Sequence, residues 1–246
     1  MANGVTSDVG NKWFVGQPLD VIYDYKKLGV WQNTPEDSAA AKALHLTITG
    51  PSSVIGTIRV ADLSGPDGKP DGKIDANDKI VLGTSEPKWE GGMTNRFGFK
   101  GFDVTVVAFA RIGSMLNSSL EGGNFVNTYQ GNYNNLKVDY WTPTNHQNTF
   151  PKPNFASTNP LNRSQLGYFN GSFVKIRSIS LGYNLPQAVL KKLTARSFRV
   201  YATASDPFIL FSPYRRAGGL DPEGTGTVGI DTPPVWAFIF GVNVSF

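Results

Sequence analysis

The chain has no cysteine and two histidines among its 246 residues. The missing cysteine excludes disulfides, thiolate metal sites and thiol nucleophiles. Neither His45 nor His146 stands in a Ser-His-Asp or metal-ligand spacing. No phosphate-binding loop or dinucleotide fingerprint is present, so the sequence does not read as an enzyme. Charge is also scarce. Acidic and basic residues make up 17%, against about a quarter in ordinary globular domains. The longest basic runs are the pairs Lys26-Lys27, Lys191-Lys192 and Arg215-Arg216, which gives no nucleic-acid face. No apolar run approaches the ~18 residues of a membrane-spanning helix. The opening residues, Met1 to Gly10, have neither the basic flank nor the apolar core of an export signal. The expectation is therefore a cytoplasmic protein or a piece of something larger.

Glycine (27 residues) and aromatics (12%) are abundant. Together with low charge they argue against a helix bundle and favour strands joined by turns. Period-two alternation is the dominant pattern. At the end of the chain Trp236, Phe238, Phe240, Val242, Val244 and Phe246 share one phase, against Val235, Ala237, Ile239, Gly241, Asn243 and Ser245. Upstream, Phe102, Val104, Val106, Ala108, Ala110 and Ile112 alternate with Asp103, Thr105, Val107, Phe109 and Arg111. Lys100-Gly101 before that run is a tight hairpin signal. Between Tyr168 and Tyr183 the apolar phase slips at Arg177-Ser178, which predicts a bulge. Six strands are expected near 13–26, 88–99, 102–113, 168–183, 196–207 and 235–246. Their connections alternate between long (27–87, 114–167, 208–234) and short (100–101, 184–195). That alternation is the signature of a transmembrane β-barrel. Six strands do not close such a barrel, and lipid does not tolerate open edges, so this reading needs further strands.

The long loops carry the candidate sites. Thr34-Pro35-Glu36-Asp37 before an alanine-rich run predicts a short helix with Thr34 as its N-cap. Set against a twelve-residue calcium loop, Asp67, Asp71 and Asp78 take positions 1, 5 and 12. Gly72 falls at the sharp turn, Lys73 offers its carbonyl, and Asp75 stands at position 9. Lys69 occupies a position where an oxygen ligand is expected; Asp62 and Ser64 are substitutes from an earlier register. Calcium is the only cofactor suggested, and an ion-free Asp/Gly/Pro turn is the alternative. Tyr133, Asn134, Tyr140 and Trp141 combine flat rings with amides, the groups that grip a sugar or a peptide.

Taken in order, these stretches resemble the C-terminal part of SusC/RagA-type TonB-dependent outer-membrane transporters of Bacteroidetes. The likeness rests on Trp13 to Tyr25 (WFVGQPLDVIYDY), Gly29 to Gln32, the loop Asp71 to Asp75, Gly98 to Asp103, Tyr140 to Pro143, Phe173 to Pro186, Phe198 to Ala202 and the final strand. One departure is Ser205-Asp206-Pro207-Phe208, where the family commonly reads Gln-Asn-Leu. The resemblance implies an all-β fold: an antiparallel meander of about six strands belonging to a 22-stranded transmembrane barrel, with long extracellular loops and a short helix. Residues 1–246 would form one such barrel segment, with the plug and most strands absent. It implies import of glycans or peptides across the bacterial outer membrane. The partners it implies are the rest of the transporter chain, a SusD-like lipoprotein lid, TonB acting through the absent N-terminal part, the barrel-assembly machinery and membrane lipid. Trp236, Phe238, Phe240 and Phe246 would form the assembly signal. The competing expectation is a soluble carbohydrate-binding β module with a calcium loop.

Overall fold

The stretch from Trp13 to Tyr25 does not run as one strand. Gly16 takes a φ of 81°, Gln17 donates back to the Phe14 carbonyl at 3.0 Å, and Pro18 has no N–H for a ladder. A turn follows where a sixth long strand was expected. The computed structural model describes Gly4 and residues 6–65, 69–119, 139–153, 162–223, 227–228 and 235–246. In it β1 (Ser7–Asp8) pairs with β2 (Trp13–Phe14). β3 (Val21–Tyr25) and β4 (Lys27–Val30) follow. β4 pairs with β5 (Ile58–Val60), and β3 with β6 (Lys79–Thr84), both antiparallel. These elements belong to a compact unit of Met1–Glu86, Met115–Phe169 and Thr225–Ile230. Trp31, Ala41 and Val54 are buried together, as are Ile58, Val60 and Leu166. The expected helix is α1 (Pro35–Ala43). Its Thr34 hydroxyl accepts from the Asp37 N–H, as the capping pattern required.

The second unit comprises Pro87–Ser114, Asn170–Gly224 and Asp231–Phe246. Its first two strands are β7 (Trp89–Phe99) and β8 (Phe102–Ile112). They are joined through Lys100 and Gly101, with φ of 47° and 88°. Two consecutive left-handed residues make the turn whose twist suits a hairpin. Glycine is required at the second: a Cβ there would stand 2.9 Å from the Asn184 carbonyl. β9 (Met115–Ser118) and β10 (Tyr168–Asn170), which except for Asn170 belong to the first unit, lie in a three-stranded sheet with a further short strand of that unit. The long strands continue with β11 (Phe173–Asn184) and β12 (Ser197–Phe211). After β13 (Thr227–Val228), which completes the three-stranded sheet, comes β14 (Ala237–Ser245).

The main sheet runs β14-β12-β11-β8-β7, and every pair in it is antiparallel. The all-β meander with short helices stands as expected, with five long strands in the sheet. The predicted bulge is also present. Arg177 is skipped in the pairing of β11 with both β8 and β12, so Ile176 and Ile179 reach the same face although their sequence phases differ. The connection 184–195 holds a helix, Gln187–Leu193, which the sequence reading treated as a plain turn. Its only buried side chain is Leu190, too little apolar periodicity to declare a helix.

Candidate membrane wall and loop sites

Register places one uncharged, largely apolar face across the five strands, with Asn95, opposite Val106, its polar member on β7. Phe240 stands opposite Ala202, Ala202 opposite Leu181, Leu181 opposite Val104, and Val104 opposite Phe97. The parallel row runs Val242, Val200, Tyr183, Phe102 and Phe99. No charged residue falls in this phase between the bulge and the short turns, and its aromatic members project outward: Phe97 is 66% and Phe240 78% exposed. Aromatics mark both limits. Trp89 and Trp236 stand at the long-loop end, Phe99, Phe102, Tyr183 and Phe246 at the short-turn end. β7 and β8 have 11 residues each, about 36 Å of extended chain, sufficient when tilted for an apolar band of about 25 Å. The residues expected as the assembly signal lie on this face: Trp236, Phe238, Phe240 and Phe246 are all exposed.

The opposite face is polar. Asp103 on β8 and Arg199 on β12 meet at 2.5 Å across the intervening Gly182, where any side chain would collide with both. Asn184 also approaches Asp103, at 3.3 Å. Near the long-loop end Lys175 is buried, its side chain 2% exposed, with Asp206 and Asp221 each at 3.0 Å and Glu223 at 2.5 Å. Arg177 bonds Glu223 as well and lies over the Phe109 ring. The cluster fastens Asp221 and Glu223, near the middle of a long connection, onto a strand. The sequence reading missed it. The available signal was a lysine inside an alternating strand, in the phase opposite the apolar one.

In the first unit the structure settles where most proposed loop residues stand. Trp141 is buried (4% exposed), with its indole N–H donating to Gln32 Oε1 at 2.8 Å. Gly56, at φ 82°, admits the ring; a Cβ there would strike it. Trp141 therefore braces 139–153 against 31–56, and only its rim lines a shallow cleft with Asn33, Ser53, Thr142 and Lys152. Tyr140 is exposed and bridges to Phe150. Tyr133 and Asn134 lie outside the described residues. Asp24, in the YDY motif, is buried and accepts from Ser164 Oγ at 2.6 Å and Tyr168 Oη at 2.9 Å. Burial, then the Asp24 charge, push the Tyr168 phenol above its ordinary value.

The aspartate loop is organised by amides. Asp78 Oδ1 accepts from the Leu63 and Ser64 N–H groups and Oδ2 from Asp75 N–H. Burial raises the Asp78 carboxyl, but these bonds outweigh it and hold it below its ordinary value. Asp75 caps a 3₁₀ turn at Asn77. Asp62 accepts from Asp71 and Gly72, and Asp71 from Lys73. Asp67 lies outside the described residues. Among the described residues no three acidic or histidine side chains converge as ion ligands. The carboxylates present suit capping of the loop's own N–H groups.

An uncharged sheet face bounded by aromatics and backed by a polar face defines a transmembrane β-barrel wall, and the protein is one of the bacterial outer membrane. No family model matches the chain. TonB-dependent receptor P3 of Formosa agariphila is 28% identical over 249 residues, covering 94% of this chain and 22% of its own length. TonB-dependent receptor P26 of the same organism is 24% identical, covering 94% of this chain and 23% of its own length. A solved structure of the RagAB peptide transporter superposes with a TM-score of 0.68 at 18% identity, covering 95% of this chain and 24% of that one. The RagAB importer in its closed-closed state gives 0.67 at 16% identity, covering all of this chain and 25% of that one. The chain thus spans about a quarter of the length of the relatives it matches. The resemblance to SusC/RagA-type TonB-dependent transporters, first drawn from motifs, holds in sequence and in fold.

Proposed function

We propose that this chain forms the barrel-closing wall and extracellular loops of a SusC-like, TonB-dependent importer of glycans or peptides. The observation that carries it is the five-stranded sheet with an uncharged aromatic face and a strand at each edge, β7 and β14, that pairs on one side only within it. Lipid requires such edges to be paired, which calls for the strands of a larger barrel. The short turns then face the periplasm and the long connections the medium. Those long connections are the part that meets cargo under a SusD-like lid. TonB acts through the remainder of the transporter. The chain itself supplies no reaction; its chemistry is recognition and containment.

The test uses phase. In the full-length polypeptide, Phe240→Arg places a charge toward lipid near mid-strand, at a cost of about 2–4 kcal/mol. Asn243→Arg places the same charge on the polar face. Outer-membrane levels should fall for the first and hold for the second. Equal levels, or recovery of the intact chain without detergent, would favour the soluble carbohydrate-binding module instead. Deleting Phe246 should also lower outer-membrane levels if the terminal aromatic is read during assembly.

A further inference from the structure

The short-turn end of the sheet carries an uneven charge. Asn184 N–H donates to the Gly101 carbonyl at 2.8 Å, Leu185 N–H to Phe198 at 2.9 Å, and Arg196 N–H to Ser245 at 2.7 Å. These bonds gather the turn 100–101, the connection 184–196 and the end of β14 at one rim. Six basic side chains lie there: Arg96, Lys100, Lys191, Lys192, Arg196 and Arg199. Across the segments 95–103, 183–199 and 241–246 the only acidic side chain is Asp103, and it is taken by Arg199. The rim therefore holds more positive charge than the +4 of the whole chain. Among the described residues, Lys100, Lys191, Lys192 and Arg196 form no ion pair with an acidic side chain. At the long-loop end, by contrast, Arg111, Lys175 and Arg177 all meet carboxylates.

The position of these cations is as telling as their number. Lys100 lies over the Phe99 ring, 5.2 Å from its centroid. Phe99 and Phe102 belong to the aromatic row that ends the lipid-facing surface, and Phe102 packs on Tyr183 at 4.4 Å. On the helix Gln187–Leu193, Val189 and Leu193 are exposed four residues apart, with Lys192 between them on the same side. Exposed apolar side chains flanked by lysines, on the connection that leaves β11 beside the aromatic row, suit a membrane–water interface. There the stems lie on hydrocarbon and the ammonium groups sit among headgroups.

We propose that this rim is a docking surface for anionic phospholipid headgroups of the periplasmic leaflet, with Lys100, Lys191, Lys192 and Arg196 meeting phosphate. An aqueous-facing basic rim would have no need of exposed Val189 and Leu193. A binding site for an acidic protein would not need continuity with the aromatic row. The proposal rests on the barrel reading, and its test separates the two.

The full-length transporter is purified in detergent and exchanged against mixed vesicles of phosphatidylglycerol and phosphatidylcholine. Retained lipid is then read by native mass spectrometry. Wild type should retain phosphatidylglycerol preferentially, and the preference should fall as salt shortens the screening length. Each cation near an anionic surface is worth about fivefold. K191Q/K192Q should therefore lose roughly 25-fold of that preference, while K191R/K192R keeps it. No preference in wild type, an unchanged preference in K191Q/K192Q, or full displacement by inorganic phosphate alone overturns the proposal. So does a variant that keeps its lipid preference but loses TonB-driven uptake, which would assign the rim to a protein partner. Heat-modifiable migration on a gel reports the barrel independently. If it is absent in wild type, the barrel reading fails rather than the lipid site.

Discussion

Lys175→Met tests what seats the loop after β12. The ammonium is almost wholly buried and faces three carboxylates within 3.0 Å. Methionine keeps the stem and removes the charge, leaving Asp206, Asp221 and Glu223 facing one another. Breaking a buried pair by removing one partner costs about 3–5 kcal/mol. The lower end applies here, because Asp206 is 36% exposed and Arg177 still neutralises Glu223. β11 and β12 are each held by two neighbours in the sheet, so the segment Ser212–Glu223 should yield first. A penalty of about 3 kcal/mol raises its open population roughly 150-fold. Trypsin reports this directly, since Arg215 and Arg216 lie in that segment. Cleavage there should accelerate by about two orders of magnitude, with the amides of β8 and β11 as protected from exchange as before. Adding Asp221→Asn should recover part of the loss by removing the buried charge that has no other cation. Unchanged cleavage, or equal loosening of loop and sheet, would refute the reasoning.

Three further outcomes follow from the first unit. Asp24→Ala strands the half-buried Tyr168 hydroxyl and removes the partner of Ser164; about 1–2 kcal/mol is expected, read as a lower denaturant midpoint for loss of protease resistance, with Asp24→Asn milder. Burial pushes Lys27 down to about 8, whereas an unfolded lysine keeps its proton to about 10.4. Between those values the unfolded state binds more protons, so stability should rise with pH through that window by at most about 3 kcal/mol. Lys27→Met should flatten the profile, and a wild-type midpoint that does not rise from pH 7.5 to 10 contradicts the burial. Amides organise the described carboxylates of the aspartate loop, so chelation of calcium should leave its exchange protection unchanged; a loss of protection reversed by calcium, and abolished in Asp71→Ala, would support the ion-binding reading.

What could be read from the sequence was what local chemistry decides. Lys100-Gly101 announced its turn because glycine tolerates a positive φ, and the Arg177 bulge showed as a broken alternation. Thr34 declared its helix by spacing alone. The misreadings came from tertiary choices. Trp13 to Tyr25 alternates well enough for a strand, yet Gly16 and Pro18 turn it, and β3 finds its partner nearly sixty residues later in β6. Trp141 has the composition of a binding residue, but whether a ring faces cargo or packing depends on Gly56 and Gln32, which are remote in sequence. Lys175 meets its carboxylates 31, 46 and 48 positions away, and no local pattern specifies such a cluster.

The glycines on the polar face have one more consequence. Gly182 lies beneath the Asp103–Arg199 pair and Gly241 beneath the Tyr201 ring. Each is a notch in which a large neighbour lies down along the wall instead of standing into the bore. Near the short turns the polar face is therefore low where its residues are bulky. Alanine at either notch would tip the overlying side chain inward. The polar face would stand higher there with the strands and their register unchanged.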